Sequence, residues 1–171
     1  MSPTGSTPRR DVLEVDWTLF GELCRGLALR VARDYQPDLV LGVANAGVIP
    51  GAVIASILQC QFDSMTVTRP EPGGMPVLVS PPSHRIAGAR VLIVDETCDT
   101  GHTMKLALSE VRSLKPAEVR TAVSICTGAY QPDFHSFETE KLIILPWDRE
   151  IIVAGELVTR PDYVDWLRAH D

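Results

Sequence analysis

Residues 91–104 read Val91-Leu92-Ile93-Val94-Asp95-Glu96-Thr97-Cys98-Asp99-Thr100-Gly101-His102-Thr103-Met104. Four consecutive aliphatic side chains predict a strand covered on both faces, because a half-exposed strand would alternate apolar with polar. The run ends in two acidic side chains, passes through a short loop and enters a helix predicted over Thr100–Leu114. Met104, Ala107, Leu108, Val111 and Leu114 share one face of that helix, and Pro116 stops it. Thr97 to Thr103 offer hydroxyls, a glycine and successive backbone N–H groups where the helix dipole is positive, a receptor for a phosphate monoester. Asp95 and Glu96 can accept hydrogen bonds from a vicinal diol, or hold a divalent cation through water. An anion cradle beside a diol clamp suits a ribose 5-phosphate.

Working outward, Trp17, Phe20, Leu23, Cys24, Leu27, Ala28 and Val31 fall on one helical face, with Asp16 as N-cap and Pro37 as terminator. Leu39–Val43 predicts a buried strand, followed by the small-residue turn Ala44-Asn45-Ala46-Gly47 and a helix from about Pro50 to Leu58. Another strand is expected over Ser64–Thr68. Residues 69–88 hold five prolines and three glycines around Val77-Leu78-Val79, the composition of an excursion or short edge hairpin that can act as a lid. Further strands are expected at Val119–Cys126, Lys141–Leu145 and Glu150–Val153, then a terminal helix over Asp162–Ala169. Strands alternating with helices predict an α/β fold with a parallel sheet, whose ligands lie beyond the carboxyl ends of the strands.

The chain has 171 residues, 45% hydrophobic and 22% charged, which suits one globular domain, expected over residues 11–171. Its formal charge of −6 argues against a nucleic-acid binder that works by broad phosphate neutralisation. The apolar runs fall far short of the ~20 residues that span a bilayer, so no membrane is expected. Cys24, Cys60, Cys98 and Cys126 are scattered singly and read as small buried residues in a reducing, cytoplasmic setting. Residues 1–10, rich in Ser, Thr and Pro with no apolar segment, read as a flexible tail. Trp17 and Trp166 are expected to pack against other side chains.

The run 91–104 resembles the phosphoribosyl pyrophosphate signature of type I phosphoribosyltransferases, and its Asp99-Thr-Gly-His-Thr-Met104 ending is most similar to the purine-salvage branch. Residues 41–51 resemble that family's pyrophosphate loop and following helix, and Pro146-Trp147-Asp148 resembles a late element of its purine enzymes. The resemblance implies a central, mostly parallel sheet flanked by helices, a small hood near residues 69–88 and a base-side segment near 127–168. It implies transfer of 5-phosphoribosyl from phosphoribosyl pyrophosphate to a purine base of the hypoxanthine, guanine or xanthine type. The products would be a nucleoside 5′-monophosphate and pyrophosphate, the cofactor Mg²⁺, and the working form a homodimer or homotetramer.

The resemblance also implies residue roles. Asp95 and Glu96 would bind the ribose hydroxyls directly or through Mg²⁺, and Asp99 would face the purine N7 as general base. Thr97 to Thr103, with Cys98 among them, would hold the phosphoribosyl group, and Thr100, Gly101, His102 and Thr103 its 5-phosphate. Ala44, Asn45, Ala46 and Gly47 would approach the pyrophosphate. Trp147 would stack on the base and the Asp148 backbone would read its edge. Asp162 would meet Mg²⁺ and Arg168 the pyrophosphate.

Three positions depart from the family's pattern. Asn45-Ala46-Gly47 stands where Arg-Gly-Gly or Lys-Gly-Gly is usual, which takes a cation from pyrophosphate binding. Thr127 falls in the slot of a lysine that donates to the 6-oxo group. The hood lacks the expected Ser-Tyr pair and has Arg69 and Arg85 as its cations. These departures leave open a phosphoribosyltransferase with another base or acceptor, or a non-catalytic regulator that binds phosphoribosyl pyrophosphate or nucleotide.

Overall fold

The computed structural model of the chain describes residues 11–71 and 73–167. The expected tail over residues 1–10, Arg168 and the side chain of Trp166 lie outside the described residues. The elements run β1 (Val12–Glu14), α1 (Trp17–Asp34), β2 (Leu39–Ala44), α2 (Val48–Leu58), β3 (Gln61–Thr68), β4 (Val77–Ser80) and β5 (Arg90–Cys98). Then come α3 (His102–Ser113), β6 (Glu118–Cys126), β7 (Phe134–Glu138), β8 (Leu142–Ile144), β9 (Glu150–Val153), β10 (Glu156–Thr159) and α4 (Pro161–Leu167). They divide into two compact units, residues 21–139 and, separately, the described residues up to Phe20 with those from Glu140 onward. No described helix is long and apolar enough to cross a membrane.

The larger unit is built on a six-stranded sheet of order β4-β3-β2-β5-β6-β7. All neighbours are parallel except β4, which runs antiparallel to β3 at the edge. Successive side chains of a strand point to opposite faces, and here both faces are covered. Leu39, Leu41, Val43, Val91 and Ile93 join Met104, Ala107 and Val111 of α3 in one core. Val40, Leu92 and Val94 join Leu27, Ala28 and Val31 of α1 and Ile54 and Ala55 of α2 in the other. That double burial is why these strands read as unbroken apolar runs. Each fully buried aliphatic side chain adds about 1.5–3 kcal/mol relative to exposure.

Asp16 caps α1 as its position predicts, accepting the Leu19 N–H at 2.7 Å. Other features correct the sequence reading. β5 does not stop at Val94: it stays paired with β6 through Cys98, opposite Cys126, so the acidic pair lies inside the strand. β7 was not expected, because Phe-His-Ser-Phe-Glu is short and half polar, as befits an edge strand.

In the smaller unit β1 pairs in parallel with β8, and β9 and β10 form an antiparallel hairpin. Its turn is Ala154-Gly155, with φ of 53° and 87°, the left-handed pair that matches a two-residue hairpin. β1 and β10 were not expected from sequence. Within this unit Trp147 meets Phe20 edge-on at 4.8 Å between centroids and Trp17 at 5.6 Å.

Candidate functional site

The sheet order reverses between β2 and β5. From β2 the chain turns to α2 on one face, and from β5 to α3 on the other, so the two loops diverge and leave a crevice at the strand ends. The first loop is Ala44-Asn45-Ala46-Gly47, in which the Ala44–Asn45 peptide is cis. Gly47 precedes α2 with an ordinary φ of −63°. Space, not conformation, calls for glycine there. A Cβ on Gly47 would lie 2.6 Å from the Val43 carbonyl oxygen, 2.8 Å from that of Val94 and 2.7 Å from Asp95 Oδ1.

The second loop leaves β5. Asp95 is 9% exposed and its Oδ1 accepts the Glu96 N–H at 3.0 Å. Burial, and then the adjacent charge and hydrogen bond of Glu96, push the Asp95 carboxyl well above the ordinary carboxylate range, while the charge of Arg69 opposes them. Gly101, with φ of 76°, sits at the N-cap of α3, and no side chain caps that helix. The first-turn N–H groups of α3 therefore lack a side-chain acceptor, the arrangement that receives an anion. The Tyr130 ring lies against Gly101, so a side chain there would collide with it as well as strain the backbone. Lys105 Nζ stands 5.6 Å from the centre of that ring.

Hydroxyls and charges complete the loop. Thr100 Oγ1 and His102 Nδ1 are 3.2 Å apart. Arg69 Nη2 donates to Thr103 Oγ1 at 3.3 Å. Together Asp95, Glu96, Thr97, Cys98, Asp99, Thr100, Gly101, His102 and Thr103 line one cleft of about 310 Å³ with Arg69 and Met104. Cys98 is buried, which pushes its thiol up to about 12 and keeps it protonated at neutral pH. Asp99 is exposed and its carboxylate lies against the Cα of Gly128. Thr127 turns back on the main chain: its N–H donates to the Cys98 carbonyl at 2.9 Å and its hydroxyl to the same oxygen at 3.4 Å.

The structure thus gathers the nine residues expected around the phosphoribosyl group, with Gly47 touching them through Asp95. Trp147, Asp148 and Asp162 belong to the smaller unit. There the Trp147 indole N–H is buried without an acceptor among the described residues, and the Asp148 N–H donates to the Leu145 carbonyl at 2.9 Å. Asp162 is exposed on α4. Three neighbours were missed by sequence reasoning: Arg69, noted only as a hood cation, Gly128 and Tyr130. A glycine just after the buried strand β6 was the available signal for a close approach.

Among the described residues no cluster of three or more His, Cys, Asp or Glu is placed to hold a metal ion. The adjacent carboxylates of Asp95 and Glu96 nevertheless fit Mg²⁺, which takes one or two protein carboxylates and completes its shell with water and substrate phosphates.

Comparison with known proteins places this geometry. The family model for the phosphoribosyl transferase domain matches residues 15–157. The crystal structure of a purine phosphoribosyltransferase from Pyrococcus horikoshii is 30% identical, with a TM-score of 0.75, covering 85% of this chain and 99% of that one. A xanthine-guanine phosphoribosyltransferase of Nitratidesulfovibrio vulgaris is 27% identical over 89% of this chain and 94% of its own length. The xanthine-guanine-hypoxanthine phosphoribosyltransferase of Helicobacter pylori shares the fold, with a TM-score of 0.71 at 14% identity. Spanning the whole six-stranded sheet, the acidic pair and the loop into α3, the match establishes that this chain belongs to the phosphoribosyl transferase domain family.

Proposed function

We propose that the protein transfers the 5-phosphoribosyl group of phosphoribosyl pyrophosphate to a 6-oxopurine, forming a nucleoside 5′-monophosphate and releasing pyrophosphate. The observation that carries this reading is the cleft in which buried Asp95 and half-buried Glu96 stand beside an uncapped helix start. Purine as the acceptor draws on the relatives named above, of which the Pyrococcus horikoshii protein is a purine phosphoribosyltransferase and that of Nitratidesulfovibrio vulgaris a xanthine-guanine phosphoribosyltransferase.

The chemistry assigns work to each part. Displacement at the anomeric carbon builds positive charge on the ribose and negative charge on the leaving group, so fixed donors and carboxylates count most in the transition state. The amides at the start of α3 and the hydroxyls of Thr100 and Thr103 hold the 5-phosphate. Asp95 and Glu96 orient the ribose through its hydroxyls and would hold Mg²⁺. Bound Mg²⁺ supplies charge to stabilise the departing pyrophosphate. Asp99, exposed in the same cleft, takes the N7 proton of the incoming purine. The segment from Arg69 to Gly88 would close over the site and exclude water, the competing nucleophile.

The test is a base panel. Purified protein is mixed with phosphoribosyl pyrophosphate, Mg²⁺ and hypoxanthine, guanine, xanthine or adenine, and pyrophosphate release is followed. Turnover with a 6-oxopurine supports the proposal. Turnover with another base alone corrects the acceptor. Tight binding of phosphoribosyl pyrophosphate without turnover on any base marks a regulator, the outcome that the uncharged Asn45-Ala46 loop favours.

A further inference from the structure

The cleft that holds Asp95 has an unbalanced charge. Three of its lining residues, Asp95, Glu96 and Asp99, are carboxylic acids, and Arg69 is the one arginine or lysine among those that line it. The loop after β2 adds no cation, since it reads Ala44-Asn45-Ala46-Gly47. A phosphate monoester carries nearly two negative charges at neutral pH, so the carboxylates of Glu96 and Asp99 oppose its entry unless a fixed positive group stands close.

Arg69 is placed for that task. It follows the last residue of β3, so its main chain leaves directly from the sheet, and Pro70 restricts it to extended backbone. Its guanidinium reaches across 34 residues of sequence to the Thr103 hydroxyl in the first turn of α3. Its charge is also felt at Asp95. A guanidinium offers several N–H donors in a planar fork, and one bond to Thr103 leaves the others free for phosphoryl oxygens.

We propose that Arg69 is a ligand of the phosphoryl group seated at the start of α3, sharing it with the Thr103 hydroxyl. The proposal rests on the phosphoribosyl reading of the cleft and adds a residue to it. Arg69 supplies there the cation that the pyrophosphate loop lacks, but to the sugar phosphate rather than to the leaving group.

Calorimetric titration of ribose 5-phosphate, and separately of pyrophosphate with Mg²⁺, into the wild type, Arg69→Ala and Arg69→Lys tests this. Arg69→Ala should weaken ribose 5-phosphate roughly ten- to hundredfold, the range expected for a lost charge-assisted hydrogen bond. Arg69→Lys should recover part of that loss, and the affinity of Arg69→Ala should fall less steeply with salt than that of the wild type. Pyrophosphate affinity should stay the same. Arg69 is exposed, so both variants should keep the wild-type melting temperature. Unchanged ribose 5-phosphate binding in Arg69→Ala, or a loss confined to pyrophosphate, overturns the proposal while leaving the phosphoribosyl reading intact. A wild type that binds no ribose 5-phosphate overturns both.

Discussion

Gly47 lies so close to Asp95 that a methyl group on its Cα would stand 2.7 Å from the carboxylate Oδ1. This contact joins the two loops of the site across the point where the sheet order reverses. Two main-chain oxygens, those of Val43 and Val94, crowd the same spot, and both are held by the sheet. Gly47→Ala has an allowed backbone conformation and no room, so it should cost about 1–3 kcal/mol in urea denaturation. It should also displace Asp95 and weaken ribose 5-phosphate. A variant as stable as the wild type would mean that the close approach is wrong.

Asp95 itself should trade stability for function. Its carboxyl is raised by burial and by Glu96, so the native state holds that proton at pH values where the unfolded chain, near the ordinary 3.8, has released it. The native protein then binds more protons than the unfolded one, and stability falls as pH rises above 3.8. Asp95→Asn removes this loss. Its melting temperature should exceed that of the wild type by a few degrees at neutral pH, with the gap closing as pH falls toward the unfolded value. Melts at a series of pH values check this, and an offset independent of pH would sink it.

Asp99→Asn separates chemistry from binding. Loss of a general base typically lowers turnover about 10²–10⁴-fold. On the proposed reading the phosphate is held by groups at the start of α3, so ribose 5-phosphate affinity should stay near the wild-type value. If steady-state turnover and calorimetric affinity fall together, Asp99 is a support for the loop and not the base.

Thr127 tests the acceptor. Its hydroxyl is turned to the Cys98 carbonyl, 3.4 Å away, which leaves little donor capacity for a purine oxygen. Thr127→Lys should lower KM for hypoxanthine or guanine by about tenfold, the effect of one charge-assisted hydrogen bond. A base profile identical to that of the wild type would place the lysine slot elsewhere.

Much of this protein was legible in order of sequence. β2 and β5 announced themselves because strands covered on both faces need apolar residues at every position, and α3 because one face of it meets a core. The loop from Thr97 to Thr103 was legible too, since the placement of its main-chain amides follows from a strand, a glycine and a helix start in succession. What stayed hidden came from pairing at a distance. β5 runs on through Asp95 and Glu96 because β6 holds it there, and β7 exists because β6 offers an edge, which no local pattern encodes.

The sequence by itself determined the α/β alternation, the acidic pair and the strand–glycine–helix turn, because each is a property of neighbouring residues. Only the tertiary structure decided that Arg69, Gly128 and Tyr130 stand at that turn and that Gly47 stands against Asp95. Those four arrive from the ends of other strands, and which strand ends meet is settled by sheet order and burial, not by spacing along the chain.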